Sequence, residues 1–203
     1  MLKKVLCILT ALVLLTFAGC GQEKSESDTT APEGTAAAAA GPEVAVITVK
    51  DYGTIEVELD RANAPITVDN FVKLVNSRFY DGLTFHRIIS GFMIQGGDPT
   101  GTGMGGSKET IKGEFRENGV ENPISHVRGT ISMARAQDMN SASSQFFVVH
   151  EDSPHLDGAY AGFGHVISGM DVVDAICENT PVMDGNGTVE RDNQPIIETI
   201  TMK

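Results

Sequence analysis

Apolar residues recur along this chain with three different spacings. The first stretch, Val5–Ala18, is apolar except for Thr10 and Thr16, and Lys3 and Lys4 precede it. It falls short of the ~20 apolar residues that a membrane-spanning helix needs. It reads instead as a secretory signal segment over residues 1–19. Residues 21–42 hold Ser, Glu, Asp, Thr, Pro and the run Ala36–Ala40, with no large apolar side chain. Such a segment cannot bury enough surface to offset its ordering entropy, so residues 20–42 are expected to be a disordered tether. From Glu43 the period becomes two. Val44–Lys50 and Thr54–Asp60 alternate around the turn Asp51-Tyr52-Gly53, which predicts a hairpin. Over Pro65–Phe79 the spacing turns helical, with Val68, Phe71, Val72, Val75 and Phe79 on one side and Thr67 or Asn63 available as the cap. Strand signals return at Leu83–Ile88, Phe92–Gly96, Gly129–Ala134, Gln145–His150 and Gly162–Val166. A second helix is predicted at Met170–Glu178 and a last strand at Pro195–Met202. Many short strands with two separated helices predict one mainly β domain over 43–203, a closed antiparallel barrel plugged at its ends.

Composition narrows the partners. The net charge is −12, which disfavours nucleic acid and anionic lipid headgroups. Of the three cysteines, Cys7 lies in the signal segment. Cys20 and Cys177 are far apart without a CxxC neighbour, so neither a disulfide framework nor a structural zinc site is expected. Phe17-Ala18-Gly19-Cys20 places a small-small-Cys triplet where the apolar run ends. This resembles a bacterial lipobox, with Phe17 in place of the usual leucine, and predicts lipidation of Cys20. The plain alternative is ordinary signal cleavage beside an incidental cysteine.

Several chemical motifs are excluded. Gly101-x-Gly103-x-x-Gly106 matches a dinucleotide fingerprint literally, but that fingerprint opens a helix after a strand. Here Asp98-Pro99 precedes it and Ser107–Gly113 has no helical period, so a surface loop bordering a groove is expected. His150 and His155 lack further ligands for a metal. No Gly-x-Ser-x-Gly elbow is present, and Cys177 has no histidine close in sequence.

Two blocks stand out, Phe85-His86-Arg87-Ile88-Ile89-Ser90-Gly91-Phe92-Met93-Ile94-Gln95-Gly96-Gly97-Asp98 and Ser144-Gln145-Phe146-Phe147-Val148-Val149. Alternation puts Phe85 and Arg87 on one face, Met93 and Gln95 on one face of the next strand, and Gln145 and Phe147 opposite Phe146 and Val148. Taken alone, Arg87 is a cation on an apolar strand, explicable as a side chain lying over a barrel wall. With Gly129–Ala136, Leu156-Asp157-Gly158 and Phe163-Gly164 in order, however, the chain from about Val44 to Met202 resembles the cyclophilins.

That resemblance implies a closed eight-stranded antiparallel barrel capped by two α-helices, and peptidyl-prolyl cis–trans isomerase activity without cofactor or metal. Arg87 matches the catalytic arginine. Phe92, Met93, Phe147 and Leu156 match the proline pocket, and Gln95 and Gln145 match polar groups that orient substrate. Ala134 and Arg135 match the segment that bonds the bound peptide, where many members carry Asn in place of Arg135. His155 stands where many eukaryotic members carry Trp, and Tyr160 where they carry His, which puts cyclosporin sensitivity in question. The implied partners are proline-containing polypeptides, with no nucleic acid, and with the membrane met only through the lipid on Cys20. The expected state is a monomer held outside the bacterial cell membrane. A proline-binding or chaperone module with incidental turnover is the rival reading. A structural adhesin is disfavoured by the lack of repeats.

Overall fold

A computed structural model describes residues 42–203. The signal, lipidation and tether readings fall on residues 1–41 and lie outside the described residues. Among those described, no helix is long and apolar enough to cross a membrane.

The chain forms β1 (Val44–Val49), β2 (Gly53–Leu59), α1 (Pro65–Asn76), β3 (Phe85–Ile89), β4 (Met93–Gly96), β5 (Thr130–Met133), β6 (Phe146–Val149), β7 (Gly162–Ser168), α2 (Met170–Asn179) and β8 (Ile197–Met202). All eight strands join one sheet in the order β3-β4-β6-β5-β7-β2-β1-β8, and every ladder is antiparallel. Alternation divides the side chains. Ile47, Ile55, Val57, Ile94, Ile131, Phe146 and Val148 enter the main core, while Met93, Phe147 and Val149 form a second cluster with Leu156. Both helices bury an apolar face in the main core. Phe71 of α1 anchors its aromatic centre, 5.2 Å from Phe163, 5.3 Å from Tyr80 and 5.7 Å from Phe146, ring to ring.

The predicted closed barrel is not made. The sheet curls into an open half-barrel whose edge strands, β3 and β8, share no ladder. They approach through the isolated bridge Thr84–Ile196, with Phe85 N donating to Pro195 O (2.9 Å) and Ile197 N to Leu83 O (2.8 Å). The reason is local. Pro195 has no N–H to extend the pairing. Beyond Phe85, the free edge of β3 is taken by the segment before β8: Ile88 N donates to Gly187 O (2.8 Å) and Val189 N to His86 O (3.0 Å).

Helix α1 also departs from expectation at both ends. It stops at Asn76 because Arg78 takes a left-handed φ of 57° and Phe79 N bonds back to Leu74 O. Its start is capped by neither Asn63 nor Thr67. The carboxylate of Glu114, distant in sequence and 2% exposed, accepts from Ile66 N (3.0 Å), Thr67 N (2.8 Å) and the Thr67 hydroxyl (2.7 Å). The cap is therefore tertiary: it supplies acceptors and a negative charge to the helix N-terminus. Glu114→Ala strands these donors and should lower unfolding free energy by about 2–4 kcal/mol, with Glu114→Gln costing less. Equilibrium urea denaturation reads both, and a midpoint unchanged in the alanine variant would contradict the tertiary cap.

Candidate active site

The residues singled out on β3 and β4 meet because the pairing slips. Phe85 lies opposite Gly96 and Arg87 opposite Gln95, so two steps on β3 match one on β4. This bulge overturns the expectation that Phe85 and Arg87 share a face. Phe85 points into the main core, while Arg87 emerges beside Gln95 and Met93 on the other side of the sheet. Bulges of this kind commonly re-aim one side chain at a functional site.

A cavity of about 400 Å³ opens there. Met93, Phe147 and Leu156 form its buried apolar floor, with Phe92, Ala134 and Tyr160 packed against them. Arg87, Gln95 and Arg135 also line it, together with His86, Thr102, Gly103 and Thr188. Gln145 lines the neighbouring cavity of about 450 Å³, which Gln95, Gly103, Ala134 and Arg135 share. His155 is exposed on the rim, its ring 5.4 Å from that of Phe92, and is not among the lining residues. A wider groove of about 1050 Å³ between Leu59, Ile124 and Ile167 lies elsewhere and contains none of these groups.

The polar groups form a chain. Arg87 Nε donates to Asn186 O (2.8 Å) and Nη1 to Gln95 Oε1 (3.2 Å). Gln95 Nε2 donates to Gln145 Oε1 (2.8 Å), and Gln145 Nε2 donates to Gly105 O (2.7 Å) and Gly103 O (3.0 Å). Among the described residues, Arg87 Nη2 makes no hydrogen bond. No described Asp or Glu lines the cavity.

The Gly-rich loop that ends this chain is tightly bonded rather than loose. Asp98, 1% exposed, accepts from the backbone N–H groups of Thr100, Thr102, Gly103 and Gly105 and from the Thr100 hydroxyl. Burial opposes its ionisation, but these donors outweigh burial and hold the carboxyl down to about 2.

Other supports were not visible in the sequence. The His126 ring stacks behind Phe147, centroids 6.0 Å apart. Burial holds this imidazole neutral, with its pKa below the usual range, so Nδ1–H donates to Asp157 (2.9 Å) and Nε2 accepts from the Ser132 hydroxyl (2.9 Å). Arg135 lies between two rings, 5.1 Å from the Phe115 centroid and 4.8 Å from that of Tyr160, and donates to the carbonyls of Ala159 and Ala136. Gly91 N donates to His150 Nδ1 (2.8 Å), which fixes the turn before Phe92. His86 is 4% exposed, and among the described residues neither ring nitrogen has a partner; burial lowers its pKa as well. Apart from the Arg135–Ala136 bond, none of these pairings has a local sequence signal, because each joins residues from separate segments.

Comparison with known proteins agrees with this geometry. Residues 44–202 match the family described as cyclophilin type peptidyl-prolyl cis-trans isomerase/CLD. Peptidyl-prolyl cis-trans isomerase B of Bacillus subtilis is 51% identical over 123 residues, 61% of this chain and 82% of its own. A peptidyl-prolyl cis-trans isomerase of Helicobacter pylori is 47% identical over 135 residues, 65% of this chain and 80% of its own. The crystal structure of a cyclophilin type isomerase from Cryptosporidium parvum, determined in the presence of the dipeptide Ala-Pro, superposes with a TM-score of 0.69 at 33% identity, covering 79% of this chain and 98% of that one. The chain belongs to the cyclophilin-type peptidyl-prolyl cis–trans isomerases and is an isomerase.

The two buried histidines make stability pH-dependent. Each refuses a proton in the folded state that it accepts near pH 6.5 when unfolded. Stability is therefore present above that value and is lost as pH falls through it. The melting temperature should drop as the pH falls below about 6.5, while NMR shows the His126 ring taking its proton below the ordinary histidine range. A flat profile with early His126 protonation would contradict this.

Proposed function

We propose that this chain accelerates X–Pro rotation through Arg87, acting on exported polypeptides from a lipid anchor at Cys20. The observation that carries the Arg87 reading is the division of its guanidinium: two nitrogens are held by the protein and Nη2 is left for a ligand, beside an apolar floor.

The reaction breaks no bond. Amide resonance sets a barrier of about 18–20 kcal/mol, and uncatalysed prolyl exchange takes roughly tens to hundreds of seconds. Twisting the amide ends the resonance and localises a lone pair on the prolyl nitrogen. A fixed N–H donor bonds that lone pair in the twisted state and finds little to bond in the planar one, so it lowers the barrier differentially. Arginine suits this task, being always charged and rigidly forked. Phe92, Met93, Phe147 and Leu156 hold the proline ring while the preceding carbonyl turns. Gln95 orients Arg87, and Gln145 in turn orients Gln95. Ala134 and Arg135 offer the edge along which the peptide backbone lies. The chain of bonds from Arg87 to the loop Thr100–Gly105 supports a preformed site.

The location rests on sequence: a short apolar run, a small-small-Cys triplet and a polar tether before the domain. Folding assistance to secreted proteins follows from that placement. Cys20→Ser should move the protein from the membrane fraction to the soluble fraction of cells with its isomerase activity intact. Persistent membrane retention would remove the lipid anchor from the account.

Arg87→Ala should lower kcat/KM on an Ala-Pro peptide in a protease-coupled assay by ~10²–10³-fold with an unchanged circular dichroism spectrum. Turnover near the wild-type value would overturn the role of Arg87.

A further inference from the structure

The loop between α2 and β8 is built around one carboxylate that the reaction does not use. Asp184 Oδ1 accepts from Asn186 N (2.9 Å) and Thr188 N (3.1 Å), and Oδ2 accepts from the Thr188 hydroxyl (2.9 Å). The backbone closes the same knot, with Gly187 N donating to Asp184 O (3.0 Å) and Met183 N to Thr188 O (2.7 Å). These donors, the backbone N–H of Thr188 foremost, hold the Asp184 carboxyl below its ordinary range.

The knot is docked on β3 rather than free in solvent. Thr188 bridges Arg87, Ile88 N donates to Gly187 O, and Val189 N donates to His86 O. Gly187 has φ 78°, and a Cβ placed there would lie 2.2 Å from Ile88 O, so only glycine fits this contact. Thr188 of the knot lines the cavity, and a second group holds the Arg87 side chain. The carbonyl of Asn186 accepts from Arg87 Nε at 2.8 Å. Gln95 holds Nη1 from the other side at a longer 3.2 Å. The shorter of the two bonds that aim the guanidinium thus comes from a loop whose shape Asp184 sets.

We propose that Asp184 is a positioning residue for catalysis: it fixes the Asn186 carbonyl that aims Arg87. Asp184 touches neither the cavity nor the guanidinium, and acts only through the loop. The inference rests on the reading of Arg87 as the catalytic group. Without the knot, the loop keeps its β3 contacts through Gly187 and Val189, but the Asn186 carbonyl is free to turn. Arg87 then samples orientations in which Nη2 does not meet the prolyl nitrogen. The ring pocket is untouched, so the loss falls on turnover rather than on binding.

The test uses the full chain, with an Ala-Pro peptide as probe. Asp184→Ala should lower kcat by about 3–10-fold with KM nearly unchanged. Asp184→Asn keeps one carbonyl oxygen for the Asn186 and Thr188 N–H groups and should recover most of the loss. In an Arg87→Lys background, which has no Nε–H, Asp184→Ala should have no further effect. A second readout does not depend on activity: the Arg87 Nε–H resonance in a ¹⁵N spectrum should be sharp and slow to exchange with solvent in the wild type, and broadened in Asp184→Ala. If Asp184→Ala is too unstable to purify, Thr188→Val removes the Oδ2 bond and should show the same effects at smaller size. Wild-type kcat with an unmoved Nε–H resonance would overturn the proposal. So would an equal loss in the Arg87→Lys background, or failure of Asp184→Asn to rescue. Full turnover by Arg87→Lys alone would instead refute the catalytic reading of Arg87, leaving the resonance to report whether the loop holds that side chain.

Discussion

The bulge between Phe85 and Arg87 is the constraint on which the site depends. Without it, strict alternation would place Arg87 on the same side as Phe85, inside a core whose other members are apolar. A charge buried there without a partner would be strongly unfavourable. With it, Phe85 remains in the core, Arg87 turns out beside Gln95, and Ile88 regains the core register opposite Ile94. One extra residue thus lets a single strand serve both the fold and the chemistry. The same strand is the unladdered edge of the sheet, which leaves room for the segment around Gly187 to bond along it. The segment that occupies the open edge of the half-barrel also holds the arginine.

Around that arginine the structure spends its polar contacts on rigidity. Asp98 gathers the Gly-rich loop, Gln145 ties that loop to Gln95, and His126 braces Phe147 from behind. Arg135 is held between two aromatic rings. On the proposed reading of Arg87, an isomerase that breaks no covalent bond works by holding donors in place, since a donor that reorients during the reaction gives back part of what it stabilises. In a chain of net charge −12, no described acidic side chain lines the cavity, so no described carboxylate there competes for the positive field of Arg87.

Much of this was legible in the sequence. Alternation located all eight strands and both helices to within a few residues, and correctly separated Phe146 and Val148 from Gln145 and Phe147. The motifs pointed to the family and to most of the residues that line one cavity, whereas Gln145 lines its neighbour and His155 stands outside both. Three features were not legible, for related reasons. The bulge replaces a period of two with one extra residue, which no alternation rule detects. Glu114 caps a helix by accepting from Ile66, 48 residues earlier, and Asn186 reaches Arg87 across 99 residues. Such contacts carry no local pattern, because a backbone carbonyl or an isolated acid looks the same wherever it lands. The expected closed barrel failed for a similar cause. Many short strands with two separated helices suggest closure, but Pro195 and the docked segment before it decide the edge.

The central claim is that Arg87 stabilises the twisted amide and contributes little to holding the planar one. Magnetisation exchange between the cis and trans prolyl resonances of an Ala-Pro peptide, measured alongside binding of the same peptide, separates these two effects without a coupled protease. The account predicts that Arg87→Ala binds the peptide within about twofold of the wild type while enzyme-driven exchange falls by at least about a hundredfold. A parallel loss of binding and exchange, or exchange that persists at the wild-type rate, would contradict it.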